Sequence, residues 1–304
     1  MIKITKNIDE ANFITHGGTF HADDVFATIF LEKVFGDVLL CRVNELTNAK
    51  EYSNKIIYDI GNGVFDHHQL NAEIRPNGIK YSSVGLLFKK YGLDYLKNKN
   101  IFNYQKVYEM LDKDLIMQID AIDNGIFPDF SNNYKITTLS DLVSYFNKNW
   151  NEEKDLDDLF LKATKYFTTV WDVIEKKVIS KVEAEEILKK ALKNSKDNIL
   201  VLDKYIPYKD YVIEYNELHK EKIILVIFPS NRGGYAINTI KKNFKTNENI
   251  LDFPKKWGGK SPEELEKLTG IKTFRFCHKD LFCAAADTLI DALQIAKEAL
   301  KKKN

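Results

Sequence analysis

The first third of the chain alternates two apolar textures. Ala11 to Thr15 is a short apolar run ending at His16, the pattern of a buried strand. From Asp23 onward Val25, Phe26, Ile29, Phe30 and Val34 recur at helical spacing, and Gly36 stops the helix. Val38–Val43 is a second strand candidate. Lys55–Ile60 is a third, closed by the Gly61-Asn62-Gly63 turn. Tyr81–Tyr91 reads as a helix with Ser82 or Ser83 near its start. Strands separated by helices predict an α/β fold with a doubly wound, mainly parallel sheet.

Further along, Gln105–Ile122 reads as one long amphipathic helix that delivers Gln118 to Gly125, and a polar segment follows around Asp129–Thr138. Residues 152–194 are charge-rich and helical in period, with no Pro or Gly, which predicts a helical connector. After Asn194–Asn198 the texture turns to β in Ile199–Pro207, Tyr211–Tyr215 and Lys222–Ser230. A helix of good formers, Ala284–Lys303, closes the chain, and the KKKN tail reads as solvated charge. The expected division is therefore residues 1–148, a connector over 149–198, and a smaller α+β domain over 199–304.

Composition narrows the class. In 304 residues, a 44% hydrophobic and 12% aromatic content suffices for a packed core, and 45 basic against 44 acidic side chains leave a net charge of +1. Bulk charge does not attract a polyanion, so any nucleic-acid site has to be a local patch. Three scattered thiols, Cys41, Cys277 and Cys283, form neither a disulfide framework nor a metal-type Cys pair, and they point to a reducing compartment. No apolar run approaches the roughly 20 residues that span a bilayer, and the N-terminus lacks a signal-peptide core. The expectation is a soluble cytoplasmic protein without a membrane partner.

The candidate chemistry is concentrated early. Four of the six histidines lie in THGGTFHADD (His16, His21) and VFDHHQ (His67, His68). His16 follows the first strand, and His21 with Asp23 lies where that turn enters a helix. Asp59 closes the third strand; Asp66, His67 and His68 follow the next turn. Asp120 and Asp123, three apart on a helix, share a face. Each falls at or just beyond the carboxyl end of a strand, or on a helix that can reach it, where a doubly wound sheet places its site. Asp with neutral His and no thiolate favours Mn²⁺, Mg²⁺, Fe²⁺ or Zn²⁺. Singly, each segment has a plainer reading, as a turn, a helix cap or a helix end. Four such segments in order favour a metal centre.

The Asp66-His67-His68 triplet, with the earlier His/Asp motif, Asp59 and Asp123, resembles the DHH superfamily of phosphoesterases. More closely, HGGTFHADD, YDIG, FDHHQ, SSVGLLFKKYG, IDAIDNG, GGYAINTI and the WGG-to-LTGI stretch resemble the melanocyte-proliferating-gene family, described as metal-dependent 3′–5′ RNA exonucleases. The resemblance implies a DHH-type first domain holding two divalent ions, Mn²⁺ foremost with Mg²⁺ as an alternative. His16, His21, Asp23, Asp59, His67 and Asp123 would be the ligands, with Asp59 bridging and Asp120 a substitute for Asp123. Asp66 would orient a neighbouring histidine, and His68 would face the scissile phosphate.

It also implies a DHH-associated-like substrate domain. There Arg232 could grip a phosphate, Gly233 and Gly234 could admit it, Tyr235 could stack on a base, and His278 could add a contact. Cys283 and Ala284–Ala286 stand where that family has glycines, which narrows backbone approach. The expected function is release of nucleoside monophosphates from RNA or short oligonucleotides, by a protein that pairs into a homodimer. The alternatives are a small-molecule phosphoesterase, acting on a dinucleotide or pyrophosphate, and a catalytically weak RNA-binding relative.

Overall fold

A computed structural model describes residues 1–127, 136–220 and 222–301. Most of the polar segment expected around Asp129–Thr138, and the end of the lysine-rich tail, lie outside the described residues. The chain divides into two compact units, Met1–Val182 and Glu183–Asn304.

The first unit opens with β1 (Ile2–Ile4), β2 (Phe13–His16), α1 (Ala22–Phe35), β3 (Val38–Val43) and β4 (Ile56–Ile57). The four strands form one parallel sheet in the order β1-β3-β2-β4. Thus the expected parallel α/β sheet is present, with β1 as an added edge strand. The strand expected over Lys55–Ile60 is shorter. Only Ile56 and Ile57 pair with β2, because the chain then bends through a single bridge, Tyr58 with Phe65, and carries Asp59 away from the sheet.

Helices follow: α2 (Ser83–Asn98), α3 (Tyr104–Leu111), α4 (Met117–Asp123), α5 (Leu139–Ser144) and α6 (Leu156–Lys193). The helix expected over Gln105–Ile122 is interrupted by a π-helical turn at Asp112–Ile116. That turn lets Asp112 and Asp120 both face Arg75. The core is aromatic. Phe30 of α1 stacks on Trp171 of α6 at 5.5 Å, and Phe88 of α2 on Tyr108 of α3 at 4.9 Å. Trp171 and Tyr95 both donate to the buried Glu175 carboxylate, so the polar atoms of these large rings are satisfied.

The helix expected within residues 152–194 is α6, long and unbroken from Leu156 to Lys193. Phe160, Phe167 and Trp171 lie in the core of the first unit, whereas Leu188 and Leu192 lie in a core of the second. The second unit continues with β5 (Ile199–Val201), α7 (Lys209–Leu218), β6 (Leu225–Pro229), β7 (Tyr235–Thr239), α8 (Pro262–Thr269), β8 (Phe274–Cys277), β9 (Cys283–Ala286) and α9 (Leu289–Lys301). Its sheet runs β5-β6-β7-β9-β8, parallel only between β5 and β6.

Two expectations are corrected here. Tyr211–Tyr215 is helical, not β, because Val212, Ile213 and Asn216 are buried together on one helical face. Asn216 is then locked by mutual hydrogen bonds with Ile223. The final helix starts at Leu289, not Ala284, because Cys283–Ala286 pair with β7 and β8 as a strand. Cys277 is buried, and burial pushes its thiol up to about 12, in keeping with a packing role. No helix among the described residues is long and apolar enough to cross a membrane.

Candidate metal centre

Each segment reaches the centre for a local reason. His16 is the last residue of β2, and Gly17 continues by donating its N–H to Val43 at the end of β3. A Cβ on Gly17 would stand 2.8 Å from Asn44 Oδ1 and 3.3 Å from the Val43 carbonyl carbon, so only glycine passes here. Arg42 fixes the turn, donating to the Gly18 carbonyl at 2.9 Å and to Asp157 of α6 at 2.8 Å. His21 then caps α1, and Asp23 and Asp24, two and three residues on, occupy its buried first turn. Asp59 follows the β4 strand in left-handed backbone, at φ 58°, which turns its carboxylate back toward the sheet edge.

The side chains converge. His16 Nε2 lies 3.0 Å from Asp24 Oδ2 and 3.2 Å from Asp59 Oδ2. His67 Nε2 lies 3.2 Å from Asp59 Oδ1, 3.2 Å from Asp123 Oδ2 and 3.5 Å from Asp23 Oδ2. Asp59 therefore presents one oxygen to each histidine, between two clusters. Three overlapping sets of ligand atoms can each surround an ion: Asp59 with His67 and His68, His16 with Asp24 and Asp59, and Asp23 with His67 and Asp123. Except for the fully buried Asp24, these residues line a cleft of about 970 Å³ that also holds His21, Gln69, Lys80, Asn124, Ser140 and Asp141.

The electrostatics fit a cation. Buried carboxylate oxygens of Asp24, Asp59 and Asp123 accept no hydrogen bond of ordinary geometry. The Ser83 hydroxyl is a polar neighbour of Asp23, yet no such bond reaches either Asp23 oxygen. Orphaned buried carboxylates are costly unless a positive charge sits among them. Burial pushes Asp23 well up, with the charges of Asp59, Asp123 and Asp24 adding to it. Burial likewise raises Asp123; His67 works against it and Asp59 with it. Burial would lower His16, but Asp24 and Asp59 outweigh it and raise it to about 10. His67 is raised in the same way, chiefly by Asp59 and Asp123 against burial. Burial opposes ionisation of Asp59, but the two histidines overcome it and hold it well below the usual carboxylate range. A carboxylate-and-imidazole set with no thiolate suits a borderline-to-hard divalent ion, so the residues present can hold one.

The sequence candidates separate into groups. His16, Asp23, Asp59, His67 and Asp123 come together. His21 lines the cleft, exposed, with its ring 6.0 Å from that of His16, and lies outside all three ligand sets. Asp66 is engaged through both oxygens: Oδ2 takes the Asn62 N–H at 2.7 Å, while Oδ1 takes the His68 N–H and pairs with His68 Nδ1 at 2.8 Å. It orients His68, whose side chain is 62% exposed at the mouth of the cleft. Asp120 is committed elsewhere. It accepts from Arg75 Nε at 2.7 Å and from the Ser82 hydroxyl and N–H at 2.7 and 3.0 Å, so it is no substitute for Asp123.

Asp24 was not singled out in the sequence. As the third residue of α1 it resembles an ordinary cap, and it does accept the His21 N–H at 3.0 Å, but its other oxygen faces His16. In the second unit, Arg232, Gly233 and Gly234 form the turn between β6 and β7, with Arg275 donating to the Gly233 carbonyl. Tyr235 begins β7, and His278 Nδ1 accepts the Asp280 N–H in the turn between β8 and β9.

The chain matches the model of the family MYG1_exonuc, described as "Uncharacterised protein family (UPF0160)", over residues 12–300. It is 28% identical to a "MYG1 protein" of Dictyostelium discoideum, over 97% of this chain and 98% of that protein. It is 24% identical to the "MYG1 exonuclease" of Mus musculus, over 95% of this chain and 84% of that protein. Among solved structures, a pGpG-specific phosphodiesterase from Vibrio covers 95% of this chain and 97% of its own, at 12% identity and a TM-score of 0.30, a likeness too slight to bear on the fold.

Proposed function

The chain belongs to the family MYG1_exonuc (UPF0160), and from that membership we propose that it is a divalent-metal-dependent phosphodiesterase, a 3′–5′ exonuclease that releases nucleoside monophosphates from RNA or short oligonucleotides. The observation that carries this reading is Asp59, one oxygen toward His16 and the other toward His67, among buried oxygens of Asp23, Asp24 and Asp123 that accept no hydrogen bond. His16, Asp24 and Asp59 would hold one ion; Asp23, Asp59, His67 and Asp123 would hold a second, Mn²⁺ in preference to Mg²⁺. Bound there, divalent ions lower the pKa of water and offset the charge of the phosphoryl oxygens.

The protein's own residues supply the rest. His68 Nδ1 pairs with Asp66 Oδ1 at 2.8 Å, which holds the ring with Nε2 toward the cleft. As the imidazolium, with Nδ1–H donating to Asp66, it can give its Nε2 proton to the leaving oxygen of the phosphodiester. Lys80 is the one lysine or arginine among the described residues lining the cleft, and is placed to take a non-bridging phosphate oxygen. No serine or cysteine nucleophile is required.

The test incubates the protein with 5′-labelled RNA and DNA oligomers and Mn²⁺, Mg²⁺ or EDTA. The expected outcome is a ladder shortening from the 3′ end in Mn²⁺ and not in EDTA, with mononucleotide products. No release with any ion overturns the hydrolase reading. Cleavage confined to dinucleotides or pyrophosphate replaces the substrate.

A further inference from the structure

The second unit contains a pocket of about 480 Å³ at the far end of β7 from Gly233 and Gly234. Its wall combines three kinds of group. Phe244 and Phe282 expose 56% and 43% of their surface, although large aromatic rings are ordinarily covered. Three asparagines have amide capacity left over. Asn247 accepts from Lys241 and keeps its NH₂, while Asn249 donates to Asp252 and keeps its carbonyl. Asn238 donates to the Tyr208 hydroxyl at 2.9 Å, and its carbonyl oxygen has no donor. At the rim Lys209 is exposed and joins no ion pair among the described residues. Asp280 stands there too, 3.6 Å from His278 Nδ1.

The geometry points to a nucleotide site here: a base against Phe244 and Phe282, its edge read by the asparagine amides, and its phosphate at Lys209. A phenyl face stacks on any base, and an amide offers both the donor and the acceptor that base edges require. The volume lies in the range of pockets that enclose small ligands. A sugar alone would leave both phenyl rings in water, and a lipid chain would strand the amides without partners. Asp280 adds an acceptor for ribose hydroxyls. None of this depends on the metal centre or on hydrolysis. The same chemistry comes from a free nucleotide or from the end of a strand.

The experiment titrates the full chain, in EDTA, with AMP, adenosine, ribose 5-phosphate and a five-nucleotide RNA by calorimetry. AMP is expected to bind, and ribose 5-phosphate and adenosine to bind at least about tenfold more weakly. Phe244→Ala and Lys209→Ala each weaken AMP by about tenfold or more. Both side chains are exposed, so circular dichroism and the melting temperature of the variants stay unchanged. Asp59→Asn leaves AMP binding intact, which separates this site from the metal centre. If the RNA binds and AMP does not, the strand is the ligand; if both bind and compete, either source serves. Failure of both to bind overturns the proposal, as does binding that survives both pocket variants. Neither result touches metal-dependent cleavage, which fails or stands on its own assay.

Discussion

At the scale of single residues, the centre assigns different work to neighbours in sequence. His67 is partly buried among Asp23, Asp59 and Asp123, while His68 is 62% exposed, with Nδ1 toward Asp66 and Asp59 and its ring 4.3 Å from that of His67. His68→Ala is therefore expected to lower kcat by about 10²–10⁴-fold while Mn²⁺ binding persists. Asp66→Asn, which removes the charge facing His68 Nδ1, should shift the pH–rate profile as well as lower kcat; a drop without a shift would deny the orienting role. Lys80→Ala should raise KM more than it lowers kcat. The sign of the pH effect on metal binding follows from His16. With a pKa of about 10 it carries a proton at neutral pH, which Nε2 has to shed to hold a cation. Apparent Mn²⁺ affinity should thus fall as pH falls. Calorimetry in two buffers of different ionisation enthalpy would read the released proton, and equal heats in both would contradict it. Ligand types and order were legible here because Asp and His stand out at strand ends. Asp24 was not, since its cap bond is the same bond an idle aspartate would make.

At the scale of elements, the approach of α4 to α2 decides which aspartate reaches the centre. A Cβ on Gly85 would fall 2.4 Å from both oxygens of Asp120, so the helix pair closes only over a glycine. Ser82 and Arg75 then hold Asp120, and Asp123, one turn on, faces the cleft. Gly85→Ala should cost about 1–3 kcal/mol by urea denaturation, the usual price of overpacking. Arg75→Met, which leaves Asp112 and Asp120 without their shared guanidinium, should cost about 3–5 kcal/mol and reduce Mn²⁺ affinity by displacing α4. Retained affinity in that variant would mean that Asp123 is positioned without α4's anchor. The spacing of Asp120 and Asp123 left both open in the sequence, because a shared helical face does not say which member meets a distant arginine. Strands read well where they are central, as in Val38–Val43. Tyr211–Tyr215 and Cys283–Ala286 read poorly because burial and pairing partners far along the chain overrode local propensity.

At the scale of the molecule, the candidate metal ligands belong to the first unit and the further pocket to the second. Saturating Mn²⁺ should raise the melting temperature by roughly 5–10 °C, as expected for a ligand at about 100 times its Kd. Asp59→Asn should abolish that shift, whereas Phe244→Ala should leave it. The repulsion among Asp23, Asp59 and Asp123 that an ion would relieve is one part of what the fold tolerates for function. The backbone of Asp59 is another. A non-glycine residue at φ 58° costs on the order of 1 kcal/mol, and glycine there would relax it. Asp59→Gly would relieve that backbone cost, but it would also remove the carboxylate that His16 and His67 both face. Asp59→Asn keeps the side chain's size and removes only its charge. A comparison of the two variants would therefore separate what the turn costs the fold from what the charge gives it.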